Sequence, residues 1–282
     1  MHTGHCLCGT VRYEIDGPFR SLLHCHCSMC RKHHGTAFAT WAVAPVAGFR
    51  LTAGEDAIER YASSPGLHRS FCRHCGSVVP ERNEAFGLVI APAGNLEGDL
   101  GLQPQFHMFT ASQAAWYTIE DDLPRYAEWP PEYGLQPTAR APIATRPGVT
   151  QGSCLCGATA YEIDGEPQRF YYCHCSRCRM GRSAAHATNV FFKAEHFRWT
   201  RGAELIGDYH VPGAQFFGVA FCRTCGSSVP RVNTERNIVN VPAGSLDSEP
   251  GMAPMAHIFV TSKAPWDSIA GGIPQFEAMP TR

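Results

Sequence analysis

No stretch of the 282 residues approaches the ~20 consecutive apolar positions needed to cross a bilayer. The opening Met1-His2-Thr3-Gly4-His5-Cys6 lacks the apolar core of a secretion signal. The expectation is a cytoplasmic protein with no membrane partner. An excess of one charge is also missing: 24 Lys and Arg stand against 25 Asp and Glu, a formal net charge of −1. Basic residues do not cluster, so there is no electrostatic basis for binding nucleic acid. Helical heptads are absent, and no carboxylate pair, Ser-His-Asp set or Gly-rich phosphate loop stands out. With Gly and Pro plentiful, the pattern predicts an all-β chain of short strands and turns. Thr10–Ile15, Ala37–Val43, Phe49–Thr52, Ile58–Tyr61, His68–Phe71 and Phe86–Ile90 are the expected strands of the first half, with a short helical turn after Cys30.

What the chain has in excess is cysteine, fourteen in all. In a reducing compartment closely spaced cysteines point to metal rather than to disulfides. Every one belongs to a motif that occurs twice. Cys6/Cys8, Cys25-His26-Cys27-Ser28-Met29-Cys30 and Cys72/Cys75 return as Cys154/Cys156, Cys173-His174-Cys175-Ser176-Arg177-Cys178 and Cys222/Cys225. The second copy follows the first by 148 positions through Cys178 and by 150 from Cys222 onward, so it carries two extra residues between them. Tyr13–Gly17 matches Tyr161–Gly165, Pro92-Ala93-Gly94 matches Pro242-Ala243-Gly244, and Trp116 matches Trp266. The expected organisation is a domain at 1–131, a Pro-rich linker at 132–150 with Pro137, Pro142 and Pro147, and a second domain at 151–282. Two near-equal domains are expected to pack together.

Seven cysteines per copy divide as four plus three. The C-x-C and C-x-x-C pairs suit a closed structural zinc: Cys6, Cys8, Cys72 and Cys75 in one copy, Cys154, Cys156, Cys222 and Cys225 in the other. Gly9, Gly76, Gly157 and Gly226 follow these pairs, where a tight turn lets backbone N–H groups approach thiolates. The triplets Cys25/Cys27/Cys30 and Cys173/Cys175/Cys178 cannot close a tetrahedron alone. Either an outside thiolate completes them, or a local His or backbone group does, or they stay empty. The first option implies thiol chemistry, because a metal-bound thiol loses its proton at neutral pH.

The order C-x-C-G, C-H-C-x-x-C-R, C-x-x-C-G-S, P-A-G-x-L and H-x-F-x-x-S-x-A-x-W resembles the glutathione-dependent formaldehyde-activating enzyme family, over both halves of the chain. That family also resembles centromere protein V and shares the Mss4-like zinc-binding β fold. The resemblance implies two tandem Mss4-like domains and two to four Zn2+ per chain, with glutathione as cosubstrate. It assigns the second zinc of each domain to Cys25, Cys27 and Cys30, and to Cys173, Cys175 and Cys178, with an open position for the glutathione thiolate. The implied reaction is reversible addition of glutathione, or a related thiol, to formaldehyde or another small electrophile, a carbon–sulfur lyase activity like that of S-(hydroxymethyl)glutathione synthase. The competing reading is a non-catalytic zinc-binding β module for a protein or small ligand.

Arg31 and Arg179 follow the triplets directly, and a guanidinium fork suits a glutathione carboxylate as well as it suits a solvated counter-ion. His107 and His257 are either groups near the open zinc or histidines packed inside a sheet. His26 and His174, between ligands, are expected to point away from the metal. Trp116 and Trp266 are expected to be core residues. The copies also differ: Gly35 becomes Ser183, Phe38 becomes His186, Trp41 becomes Asn189, and Asp208–Gln215 is longer than its match. Any pocket beside the triplet should differ accordingly.

Overall fold

The computed structural model describes residues 1–136 and 143–280. Pro137 and Pro142 of the expected linker lie outside the described residues. The chain is mostly β. The first copy runs β1 (His2–His5), β2 (Arg12–Ile15), β3 (Ser21–Cys25), α1 (Ser28–His34), β4 (Ala39–Pro45), β5 (Phe49–Ala53), β6 (Ile58–Ser64), β7 (Leu67–Cys72), β8 (Glu81–Asn83), β9 (Leu88–Pro92) and β10 (His107–Met108). The second runs β11 (Thr150–Ser153), β12 (Ala160–Ile163), β13 (Arg169–Cys173), α2 (Ser176–Arg182), β14 (Ala187–Phe192), β15 (Phe197–Arg201), β16 (Ile206–His210), β17 (Gly218–Cys222), β18 (Ser228–Val229), β19 (Arg231–Asn233), β20 (Ile238–Pro242), β21 (Ala256–Ile258) and β22 (Gln275–Phe276).

The strands form where apolar and polar residues alternate. Along β4, Ala42 and Ala44 are fully buried while Trp41 and Val43 are half-buried, the period of two that a sheet with one core face requires. Each copy builds a small antiparallel sheet, β1-β2-β5 or β11-β12-β15, and a larger one, β10-β3-β4-β9-β8 or β19-β20-β14-β13-β21-β22. The third unit is the hairpin β6-β7 in the first copy and the sheet β16-β17-β18 in the second. The strand leading into each triplet has a parallel neighbour that carries the later histidine. His107 lies opposite His24 and Met108 opposite Cys25, while His257 lies opposite Tyr172 and Ile258 opposite Cys173.

Two local expectations are corrected. Phe86 belongs to a 3-10 turn at Glu84–Phe86, and the strand begins only at Leu88, because Gly87 takes a positive φ of 62° and ends the turn. The helix begins inside the triplet rather than after it. Cys27 Sγ accepts the Cys30 N–H at 3.3 Å and acts as N-cap, so the ligands are placed by the first turn itself. Cys175 does the same for α2 at 3.4 Å.

The copies face each other through reciprocal contacts, the signature of an approximate twofold. A Cβ on Gly76 would lie 2.4 Å from the Phe221 ring, and one on Gly226 would lie 2.3 Å from the Phe71 ring. A Cβ on Gly94 would meet the Ala184 backbone at 2.2 Å, and one on Gly244 would meet the Arg31 and Thr36 backbone at 2.2 and 2.4 Å. The P-A-G motif therefore seats each copy's loop on the turn after the other copy's helix. Of the glycines after the cysteine pairs, Gly76 and Gly226 serve the same docking, while Gly9 and Gly157 face only Arg12 and Arg201 of their own copies. All four N–H groups go to carbonyls, not to thiolates: Gly76 to Cys72 and Gly226 to Cys222 at 2.8 Å, Gly9 to Cys6 at 2.9 Å and Gly157 to Cys154 at 3.1 Å. The tryptophans also cross over: Trp116 packs edge-on against Phe170 of the second copy, and Trp266 is fully buried in the first copy's core.

Candidate metal centres and their surroundings

The four cysteines Cys6, Cys8, Cys72 and Cys75 come together at the ends of β1 and β7, with every Sγ within 4.8 Å of the others; Cys154, Cys156, Cys222 and Cys225 do likewise. The Cys6–Cys8 and Cys8–Cys72 separations are 3.4 and 3.7 Å, and those of Cys154–Cys156 and Cys156–Cys222 are 3.4 and 3.9 Å. A tetrahedron with Zn–S bonds of about 2.3 Å has edges of about 3.8 Å, so the donor sets fit the ion without rearrangement. The Val11 and Thr159 N–H groups point at Cys6 and Cys154, both at 3.3 Å, which supports thiolates there. Each quartet is covered by the other copy. Tyr209 packs on the first quartet and Tyr61 on the second, the two being matching residues of the hairpins β16-β17 and β6-β7.

The triplets Cys25/Cys27/Cys30 and Cys173/Cys175/Cys178 also hold their sulfurs within 4.8 Å, and no fourth His, Cys, Asp or Glu atom joins either set among the described residues. In the first copy, hydrogen bonds from Cys25 and Cys27 hold the Cys30 thiol well below its ordinary value, helped by the Arg69 guanidinium. Arg69 Nη1 lies 3.6 Å from Cys30 Sγ. In the second copy, bonds from Cys173 and Cys178 bring Cys175 down to about 3. A bulky aromatic beside each triplet is held in the left-handed region, Phe109 at φ 59° and Phe259 at φ 58°. That conformation costs a non-glycine residue about 1–3 kcal/mol and is concentrated at functional sites.

Behind each triplet, on the opposite face of β3 or β13, the intervening histidine pairs with the later one. His26 Nε2 and His107 Nδ1 lie 2.8 Å apart, as do His174 Nε2 and His257 Nδ1. The carboxylate near the pair differs. In the first copy Asp121 accepts from His107 Nε2 at 2.9 Å, so His107 in turn accepts from His26. In the second, Gly271 stands where Asp121 does, and Asp267 lies 3.4 Å from His174 Nδ1 at the inner end without a hydrogen bond between them. Burial pushes His26 and His186 down to about 3, and His174 and His257 to about 4, so these rings are neutral near neutral pH. The second pair, His174 and His257, borders a cavity of about 200 Å3 between the copies, lined also by His24, Asp121, Tyr172, His186 and Trp116.

Several residues of consequence gave no motif. Lys32 of α1 is buried and crosses to the second copy, where Nζ meets Asp247 Oδ1 at 2.6 Å and the Ser153 carbonyl at 2.7 Å. Asp121, Asp267, Arg69 and Arg182 are the others. The arginines expected to meet glutathione lie at the seam between the copies: Arg179 Nη1 donates to the Gly94 carbonyl at 3.2 Å, and Arg31 feels the charges of Cys27, Asp247 and Glu249.

A curated relative, an uncharacterized lyase of Schizosaccharomyces pombe, is 28% identical over 83 residues, which are 28% of this chain and 55% of that protein. The chain thus spans about half the length of this relative. A crystal structure of a Rhodobacter sphaeroides protein shares 27% identity and covers 34% of this chain and 89% of its own, at a TM-score of 0.30. The family model described as "Glutathione-dependent formaldehyde-activating enzyme" matches residues 1–112 and again 149–262, each stretch containing one quartet and one triplet. With more than half of its length matched in two successive copies, the chain belongs to the glutathione-dependent formaldehyde-activating enzyme family.

Proposed function

We propose that the protein is a zinc-dependent carbon–sulfur lyase that joins glutathione, or a related thiol, to formaldehyde or another small electrophile. We take its copies as Mss4-like domains at 1–131 and 151–282, working in the reducing cytoplasm. The observation that carries this reading is a pair of triplets whose three sulfurs converge with no fourth ligand atom among the described residues, each beside a complete quartet. A Zn2+ held by three thiolates supplies a position where a fourth thiol binds and loses its proton.

The chain's own residues do the rest. Cys27 and Cys175, capping their helices, fix two of the three donors relative to each other. Phe109 and Phe259 keep water from one side of the sulfurs. Arg31 and Arg179 are the proposed carboxylate contacts, a role in which Arg179 exchanges its bond to Gly94. In the overall reaction the thiol sulfur bonds to the carbonyl carbon, the C–O π bond breaks, and the thiol proton ends on the aldehyde oxygen.

A second reading, a non-catalytic zinc module, is favoured for the first copy alone by the burial of Cys25 and Cys30 there. The test is the rate of adduct formation from glutathione and formaldehyde, measured by exchange NMR against the spontaneous rate. The expected result is acceleration that Cys175→Ser lowers most, Cys27→Ser lowers less and the double variant abolishes. A rate equal to the spontaneous one sinks the lyase reading.

A further inference from the structure

Beside the arginine that follows each triplet, Arg31 or Arg179, stands a second inward-facing guanidinium, and between the copies that second one has changed its place in the fold. In the first copy it comes from β7: Arg69 reaches Cys30 with Nη1 at 3.6 Å, and its Nε is buried without a partner. The matching residue of the second copy is Val219, which carries no charge. In the second copy the guanidinium comes from the helix. Arg182 ends α2 four residues after Cys178, which places both on one helix face. It is 6% exposed, and its Nη1 is buried without a partner. The matching residue of the first copy is His34.

A buried guanidinium with no carboxylate beside it costs several kcal/mol unless another negative charge is near. Once a metal ion ionises the cysteines, the charges that act on these two are those of Cys30, Cys27 and Cys25 on Arg69 and that of Cys178 on Arg182. Three neutral thiols would leave both arginines uncompensated. Three thiolates around Zn2+ carry a net −1 and an incoming fourth makes it −2, the charge that two guanidiniums, Arg31 with Arg69 or Arg179 with Arg182, would balance.

We propose that Arg69 and Arg182 are equivalent positioning residues that balance the thiolate charge of the two triplets, so that both copies hold a metal ion there. This rests on the zinc reading above. It adds that the second copy, despite its altered sequence around the triplet, has rebuilt the electrostatics of the first from another position rather than lost them.

The test uses the full chain loaded with Co2+, whose thiolate charge-transfer absorption reports metal at the triplets. Cys27→Ser and Cys175→Ser assign the signal to each copy, and a competing chelator gives the affinity. Arg69→Met is expected to weaken metal binding at the first triplet by about 10- to 100-fold and leave the second unchanged; Arg182→Met does the reverse. Arg69→Lys and Arg182→Lys should each recover part of the loss. The decisive variants move the charge. His34→Arg with Arg69→Val gives the first copy the arrangement of the second, and Arg182→His with Val219→Arg does the opposite. Both are expected to recover most of the affinity, which a purely structural role for either arginine would not allow. Normal metal binding in the Met variants, or no recovery in the relocated pairs, overturns this inference and leaves the zinc reading intact. A wild-type signal unchanged by Cys27→Ser and Cys175→Ser overturns both.

Discussion

The two triplets share their ligands but not their surroundings. In the first copy Cys25 and Cys30 are buried, at 2% and 4% exposure, and Phe109 packs edge-on against Trp129 at 4.9 Å beside them. In the second copy only Cys173 is buried, and Met279, 46% exposed, stands where Trp129 does. Asp121 accepts from the histidine pair in the first copy, whereas in the second Asp267 lies 3.4 Å from His174 without a hydrogen bond, and the second guanidinium near the triplet is Arg69 in one copy and Arg182 in the other. Duplication has kept the donor atoms in place and let the supporting shell diverge. What is held constant is the histidine pair behind each triplet and the cations beside it, rather than the residue that supplies the second cation. What differs is access: the second triplet is the more open to an incoming thiol.

The contrast between the copies can be tested at sites of decreasing weight. The quartets are the largest. Cys72→Ser and Cys222→Ser each remove one donor of a closed set, and structural zinc contributes on the order of 10 kcal/mol to folding. Each variant is expected to lose zinc and to unfold at a much lower temperature. The loss should reach both copies, because Tyr61 and Tyr209 lend each quartet its cover. Metal analysis with thermal unfolding checks this; normal zinc content and an unchanged Tm would contradict it.

Next is the asymmetric ion pair. Met180 stands where Lys32 does, so Lys32→Met gives the first copy the residue of the second. Removing one partner of a buried pair costs about 3–5 kcal/mol, because Asp247 is left uncompensated. Urea unfolding should show that loss, and adding Asp247→Asn should recover most of it.

Smallest is the exchange of Phe38 for His186, which meet edge-on at 5.5 Å. Burial, with His174 and His257 nearby, holds His186 at about 3, below the ordinary 6.5. The unfolded chain therefore takes up this proton first. The stability tied to the neutral ring is present above about pH 6.5 and is lost as the pH falls from there toward about 3. His186→Phe is expected to flatten the acid limb of the stability curve by up to ~1.4 kcal/mol per pH unit, the weight of one proton. Urea midpoints at neutral and mildly acid pH give the slope, and an unchanged slope would place the His186 ring in water.

The parts of the site legible in the sequence are those fixed by short spacing. Cys6 with Cys8 and Cys72 with Cys75 announce themselves because two thiolates must reach one ion, and the strands announce themselves by alternation. The parts not legible are set by contacts more than a hundred positions apart. Nothing around Lys32 distinguishes it from a solvated lysine until Asp247 is placed beside it. Gly94 reads as a turn residue until the Ala184 backbone is found against it. The repeat did carry one usable signal: aligning the copies sets Arg69 against Val219 and His34 against Arg182, a paired loss and gain of charge on elements that both lead to the triplet.

The central claim is that each triplet is a metal centre with one position left for a thiol, and zinc counting tests it most directly. The gently purified wild-type chain should hold about four zinc ions, and the Cys27→Ser/Cys175→Ser chain about two. Glutathione should perturb the wild-type Co2+ spectrum and leave that of the double variant unchanged. Two ions in both chains, indifferent to glutathione, would contradict the account and leave a protein built on its quartets alone.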